Sequence, residues 1–308
     1  MQKLTDILVH IEQRHSLTAD IDCWRLTHSG GLALPSLQAG AHIEVQIAPN
    51  IRRAYSLCSD PEQRDYYEIA VKREEAGRGG SRTLHQHAQA ASTLWISPPR
   101  NGFGVADSAG MHLLVGAGIG LTPLIAMAHS LHRREADFQL IVRVRNRAAL
   151  PFADLLTLGP WSSKVSLSFS DQGELQLPGN PTHVYCCGPT GFMQAVRRGF
   201  PDLPETNWHQ EHFGGEAGPS AESSYQVELT LSNRTIEVAA GQRLIDALRT
   251  QGVACDTVCE QGVCGSCVVP WSQGKPIHHD ECLSDEERQT FVALCCAGCD
   301  SANLTLEL

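Results

Sequence analysis

Eight of the twelve cysteines in this 308-residue chain lie in its last 54 residues: Cys255, Cys259, Cys264, Cys267, Cys282, Cys295, Cys296 and Cys299. Cys23, Cys58, Cys186 and Cys187 are scattered through the rest. Thiols so clustered point to a metal centre rather than a disulfide framework. Within the cluster, Cys259-x4-Cys264-x2-Cys267 has the spacing with which three thiolates wrap a [2Fe–2S] cluster. The chain has to turn tightly there, and Gly262 and Gly265 provide for positive φ and close backbone approach. A fourth ligand must come from further on, with Cys282, Cys295, Cys296 and Cys299 as the choices. Zinc takes the same thiolates but favours two paired C-x2-C knuckles, and only one precedes the long gap here.

Two glycine-rich segments suit phosphate groups. Gly77-Arg78-Gly79-Gly80-Ser81-Arg82-Thr83-Leu84-His85 opens a helix after the strand-like Ile69-Ala70-Val71-Lys72, so free amides face the loop. Val115-Gly116-Ala117-Gly118-Ile119-Gly120-Leu121-Thr122-Pro123 sits at a strand–helix junction, where glycines let the backbone approach a pyrophosphate and Pro123 suits the first helical turn.

Cys-Glu-Gln-Gly-Val-Cys-Gly-Ser-Cys at 259–267, followed by His278-x-Asp280 and Leu283-Ser284-Asp285-Glu286-Glu287-Arg288, resembles the ferredoxin domain of the phthalate dioxygenase reductase family. The resemblance implies Cys295 as the fourth ligand beside Cys259, Cys264 and Cys267. The chain has Ala297-Gly298 where Ser-Arg is usual, which keeps Cys296 and Cys299 as alternatives. It further implies that Arg53-Ala54-Tyr55-Ser56 is the R-x-Y-S motif of a flavin-binding barrel. Arg53 would then fork onto the flavin phosphate, Tyr55 meet the ribityl chain and ring, and Ser56 bond toward flavin N5. Val71, Lys72, Gly80 and Ser81 would complete an FMN site, although an adenylate is not excluded by the residues alone. For the nicotinamide coenzyme the resemblance implies Gly116, Gly118, Gly120, Thr122, Pro123, Arg145, Cys187, Gly188 and Pro189. Cys187 is read as positioning the ring, since hydride transfer requires no nucleophile. Glu211-His212-Phe213 resembles the family's Glu-x-Phe near the flavin, so that Ser56, Thr122, Cys187 and Glu211 form the positioning set, with no acid–base catalyst expected.

These residues need three frameworks. Residues 1–105 carry short alternating runs such as His42–Ile47 and Tyr67–Val71 with turn signals between them, an antiparallel barrel pattern. Residues 106–215 alternate strand and helix, which implies a parallel sheet. The polar, small stretch 216–224 reads as a linker. In 225–308, alternating Val227, Leu229 and Leu231 and then Thr235–Val238 predict a hairpin about Ser232-Asn233. The helix Arg243–Gln251 follows, stopped by Gly252, giving a small α+β unit, which the family resemblance implies is a β-grasp ferredoxin domain. The fold class expected is therefore multidomain: β-barrel, α/β sheet and α+β ferredoxin.

The function expected is an NADH-dependent FMN/[2Fe–2S] oxidoreductase, an electron-transfer component that feeds a separate Rieske-type non-haem iron oxygenase docking near the ferredoxin domain. A hydride carries two electrons and the cluster accepts one, so a flavin between them divides the pair. The alternatives are a reductase for another acceptor, such as a haem monooxygenase, and a non-enzymatic metal-binding electron carrier. NADPH stays open, because Arg145-Asn146-Arg147 lacks the acid that would repel a 2′-phosphate. The net charge of −10 argues against nucleic acid as a partner. The N-terminal residues lack an export signal, and the longest apolar stretch, 111–127, is broken by Gly116, Gly118, Gly120 and Pro123. A cytoplasmic location without membrane partners is expected.

Overall fold

The computed structural model describes all residues except 1–5, 50, 76–78, 214–220, 259, 261, 263–264 and 281. The chain divides into two compact units, residues 1–214 and 215–308.

The first unit contains two sheets. Strands β1 (Ile7–Ser16), β2 (Ile21–His28), β3 (His42–Ala48), β4 (Ile51–Ser56), β5 (Tyr66–Lys72) and β6 (Thr93–Ile96) pair in the order β4-β3-β6-β1-β2-β5, every pairing antiparallel. A bridge from Leu57 to Ile69 joins the two ends of that order, which nearly closes the sheet into a barrel. Alternation along the strands sends Val9, Ile11, Trp24, Leu26, Ile43, Val45, Tyr67 and Ile69 into the barrel core. Helix α1 (Gly80–His87) caps it by burying Leu84 there.

The second sheet is wholly parallel. Its strands are β7 (His112–Ala117), β8 (Phe138–Val144), β9 (Val165–Phe169), β10 (His183–Cys187) and β11 (Trp208–Glu211), in the order β11-β10-β7-β8-β9. Helices α2 (Leu121–Arg133), α3 (Ala153–Leu158) and α4 (Thr190–Arg198) alternate with the strands. After β9 the chain crosses to the far side of β7, so the order reverses between β7 and β10. In open α/β sheets that reversal leaves a ligand crevice beyond the carboxyl ends of the two strands. Helix α2 is the most deeply buried of the three, with nine of its thirteen residues inaccessible, Thr122 and Pro123 among them.

The second unit holds β12 (Tyr225–Leu229), β13 (Arg234–Val238), helix α5 (Leu244–Thr250), β14 (Val268–Gln273), β15 (Pro276–Ile277), β16 (Phe291–Ala293), β17 (Gly298–Cys299) and β18 (Asn303–Leu306). Its five-stranded mixed sheet runs β13-β12-β18-β14-β16, with the terminal strand β18 parallel to β12. Leu244, Ile245 and Leu248 of α5 pack on Val227, Ile236, Val238 and Leu304 in one core. Asn233 turns the hairpin at φ +50 and Gly252 ends the helix in the left-handed region. The architecture matches the expected barrel, parallel sheet and α+β unit. The strands β9, β11 and β18 are additions that apolar periodicity did not reveal. Among the described residues no helix is long and apolar enough to cross a membrane.

Candidate functional site

The carboxyl ends of three strands converge in the first unit. The parallel register sets Cys187 beside Gly116 on β7 and beside Glu211 on β11. The Gly116–Gly120 loop packs backbone to backbone against the Cys187-Gly188 turn. A Cβ built at Gly120 would stand 2.3 Å from the Cys187 carbonyl oxygen and 2.9 Å from the Gly188 nitrogen. Gly118 adopts φ +56, and Thr122 Oγ1 donates to the Ile119 carbonyl at 3.1 Å, tying the loop to the first turn of α2. Ser56, at the end of β4, donates from Oγ to Glu211 Oε2 at 3.2 Å, which joins the barrel to the parallel sheet across 155 residues of sequence. Ser56, Gly120, Thr122, Cys187 and Glu211 thus line one locus.

The electrostatics of this locus are distinctive. Burial pushes the Glu211 carboxyl up to about 7, with the Ser56 hydrogen bond opposing. Cys187 is fully buried, and its thiol is pushed well above the usual range, first by burial and then by the adjacent Glu211 and Cys186. A thiol kept protonated is a poor nucleophile, so the site offers placement and a proton-holding carboxyl rather than covalent chemistry. Gly188 and Pro189 lead from Cys187 into α4, with Pro189 exposed. Arg145 is exposed just past the end of β8. Its neighbour Asn146 accepts from the Ala149 backbone at 3.2 Å, so that amide oxygen is engaged in capping a turn.

On the barrel, Arg53 and Tyr55 are half-buried on β4. The Arg53 stem crosses the start of α1: a Cβ at Gly80 would meet Arg53 Cγ and Nε at 2.9 Å. A guanidinium laid over a helix amino end, with glycine leaving the room, fits a phosphate group. Ser81 Oγ accepts from the Glu74 amide at 3.0 Å and so fastens the helix start to the chain leaving β5. Lys72 is paired with Glu74 at 2.7 Å, and Val71 is buried with its carbonyl bonded to His85 Nε2 at 2.9 Å. His85 also stands 3.4 Å from Asp22, which Arg14 grips at 2.7 Å. This anchoring of α1 through His85 was missed from sequence, since the motif supplied only its glycines and serine. Gly77 and Arg78 lie outside the described residues.

In the second unit, Cys259 and Cys264 lie outside the described residues. Cys267 and Cys295 are both buried. The β14–β16 ladder pairs Val268 with Ala293, and the Leu294 amide donates to the Cys267 carbonyl at 3.1 Å, so the ladder carries Cys267 and Cys295 to the same end. Gly262 and Gly265 both take positive φ. A Cβ at Gly262 would collide with Cys296 Sγ at 2.7 Å and with Asp280 Cα at 2.8 Å, so the loop closes over a space that admits only glycine. The buried thiols of Cys267 and Cys295 beside it are donors that suit an iron–sulfur cluster. Cys296 donates from Sγ to the Ala293 carbonyl at 3.7 Å, and Cys299, on β17, donates to the Ser301 carbonyl at 3.3 Å. The Cys282 amide donates to the Gly262 carbonyl at 3.0 Å.

The 2Fe-2S iron-sulfur cluster binding domain model matches residues 227–299. The phthalate dioxygenase reductase of Burkholderia cepacia is 33% identical over 309 residues, covering 97% of this chain and 96% of that protein. The heme-dependent oxidative N-demethylase beta subunit of Ectopseudomonas mendocina is 38% identical over 279 residues, covering 87% of this chain and 88% of that protein. Among solved structures, phthalate dioxygenase reductase, described as a modular structure for electron transfer from pyridine nucleotides to [2Fe–2S], superposes with a TM-score of 0.72 at 32% identity over 98% of both chains. Likeness at this level along nearly the full length places this chain in the phthalate dioxygenase reductase family, the oxidoreductase components of oxygenase systems.

Proposed function

We propose that the chain takes hydride from NADH onto FMN and passes single electrons through a [2Fe–2S] cluster to a separate oxygenase. Residues 1–105 would form the FMN domain, 106–215 the nucleotide domain and 225–308 the ferredoxin domain, with 216–224 as linker. The observation that carries the reading is the meeting of Ser56, Cys187 and Glu211, residues from a flavin-type strand and from two strand ends of a dinucleotide-type sheet.

When bound, the flavin supplies acceptance of an electron pair and release of its members one at a time. Arg53, Gly80 and Ser81 would hold its phosphate, with Tyr55 and Ser56 against the ribityl chain and ring and Val71 and Lys72 completing the site. The crevice at Gly116–Pro123, Arg145 and Cys187–Pro189 would take the coenzyme. There the buried Cys187 side chain excludes water and Glu211, able to hold a proton near neutrality, steadies the polar end of the nicotinamide. Cys259, Cys264, Cys267 and Cys295 would ligate the cluster. The partner oxygenase would be of the Rieske type in the cytoplasm, meeting the ferredoxin domain, where twelve acids face five basic residues in 225–308. A haem acceptor is favoured by one observation, the 38% identity to the subunit of a heme-dependent demethylase.

Anaerobic titration of the purified protein with NADH tests the relay. Flavin bands and the broad red-brown cluster absorption are expected to bleach together. A colourless protein, or flavin that NADH leaves oxidised, overturns the proposal.

A further inference from the structure

The residue that follows Cys259 in sequence is conformationally costly. Glu260 takes φ +56, in the left-handed region that glycine or asparagine ordinarily fills, and it is 4% exposed. A buried carboxylate on a strained backbone persists only where its surroundings hold it.

Those surroundings are the two ends of α5. Arg249, in the last turn, donates from Nη2 to Glu260 Oε1 at 2.9 Å. Arg243, immediately before the helix, places Nη2 3.7 Å from Glu260 Oε2, and the Thr257 hydroxyl donates to Oε1 at 3.5 Å. Arg249 also bonds Thr257, and Arg243 is itself fixed by Asp246 through hydrogen bonds of 2.7 and 2.8 Å. The helix between these arginines is immobilised by Leu244, Ile245, Ala247 and Leu248 in the domain core. The arginines at the two ends of a rigid helix therefore grip the side chain that follows Cys259 in sequence.

We propose that Glu260, held by Arg249 and Arg243, is a positioning residue of the [2Fe–2S] loop. The ion pairs hold Glu260 in its left-handed conformation, and iron retention depends on that hold. The two guanidinium groups also neutralise a carboxylate that would otherwise add negative charge beside an anionic cluster. The inference rests on the reading of 225–308 as a cluster-binding domain.

Glycine separates the clamp from the backbone, because Glu260→Gly relieves the φ strain while removing the ion pairs. Full-length wild type, Glu260→Gly, Arg249→Ala and Arg249→Lys would be compared for iron release to a chelator, followed by loss of cluster absorption and electron-paramagnetic-resonance signal. Flavin content serves as the internal check on the other unit. Removing groups that orient ligands costs about ten- to a hundredfold in metal retention. Glu260→Gly and Arg249→Ala are expected to release iron at least ~10-fold faster than wild type, with Arg249→Lys restoring most of the retention. Iron held as tightly as wild type in Glu260→Gly or in Arg249→Ala overturns the clamp, as does a lysine that restores nothing. Wild-type protein without a cluster signal would instead refute the underlying reading.

Discussion

Glu211→Gln isolates the most perturbed carboxyl of the convergent site. In the folded chain this carboxyl is pushed up to about 7 by burial, against 4.5 when the chain is unfolded. A raised acid pKa means that the native state binds the proton more tightly. The ionised group therefore costs stability as pH rises from the unfolded value through the folded one, and the full cost stands above pH 7. A tenfold difference in proton affinity between the folded and unfolded chain is worth about 1.4 kcal/mol. The linkage integral gives a cost of roughly 1 kcal/mol at pH 5.5, rising to roughly 3 kcal/mol at pH 8.5. Glutamine keeps a carbonyl oxygen that accepts from Ser56 and carries no charge. The variant should thus gain on wild type by about 2 kcal/mol more at pH 8.5 than at pH 5.5. The assay is urea unfolding of both proteins, flavin-saturated, followed by tryptophan fluorescence. Four of the five tryptophans lie in residues 1–214, so the signal reports mainly on the unit concerned. A stability difference that stays constant across this pH range refutes a charge-based cost at Glu211.

Cys295→Ser is expected to lose the [2Fe–2S] absorption and iron while retaining flavin. Iron near wild type in that variant, with loss in Cys296→Ser or Cys299→Ser, would reassign the fourth ligand. Arg53→Ala would remove the proposed charge-assisted phosphate contact, worth about 1.5–3 kcal/mol, so flavin affinity should fall by about ten- to a hundredfold or slightly more, measured by flavin fluorescence on dilution. NADH is expected to show the higher kcat/KM, and Asn146→Asp should widen its advantage over NADPH by setting a carboxylate against the 2′-phosphate; a ratio unmoved by the substitution would place the discriminating contact elsewhere. With the proposed docking at the acidic 225–308 domain, whose steering acts over a Debye length of ~8 Å at physiological salt, reduction of the partner should slow as salt rises while flavin reduction by NADH changes little.

What could be read in the sequence was local. The Cys259–Cys267 spacing, the Gly116–Pro123 turn and the R-x-Y-S stretch each carry their chemistry within nine residues, so neighbouring residue types suffice. The hairpin at Ser232-Asn233 and the stop at Gly252 are equally local, governed by turn and cap preferences. Strand β9, Val-Ser-Leu-Ser-Phe, alternates with serines and is only half-buried, and β11, Trp-His-Gln-Glu, has no apolar run. Their identity as strands comes from the neighbours that accept their backbone hydrogen bonds. The left-handed turn at Glu260 was equally hidden, since glutamate is an unfavourable residue there and only the distant arginines make it tenable.

Long-range pairing is also what makes a site from separate motifs. Ser56, Gly120, Cys187 and Glu211 come together because β10 lies between β7 and β11 in a parallel register that aligns Cys187 with Gly116 and with Glu211. Side chains alternate across a strand, so a slip of β11 by one residue would aim Glu211 at the opposite face and bring Gln210 or His212 towards Ser56. Neither could hold a proton on a carboxyl buried beside the Cys187 thiol. The raised Glu211 pKa is therefore a property of the strand register, and a residue inserted in the turn before β11 should abolish it while leaving every motif intact.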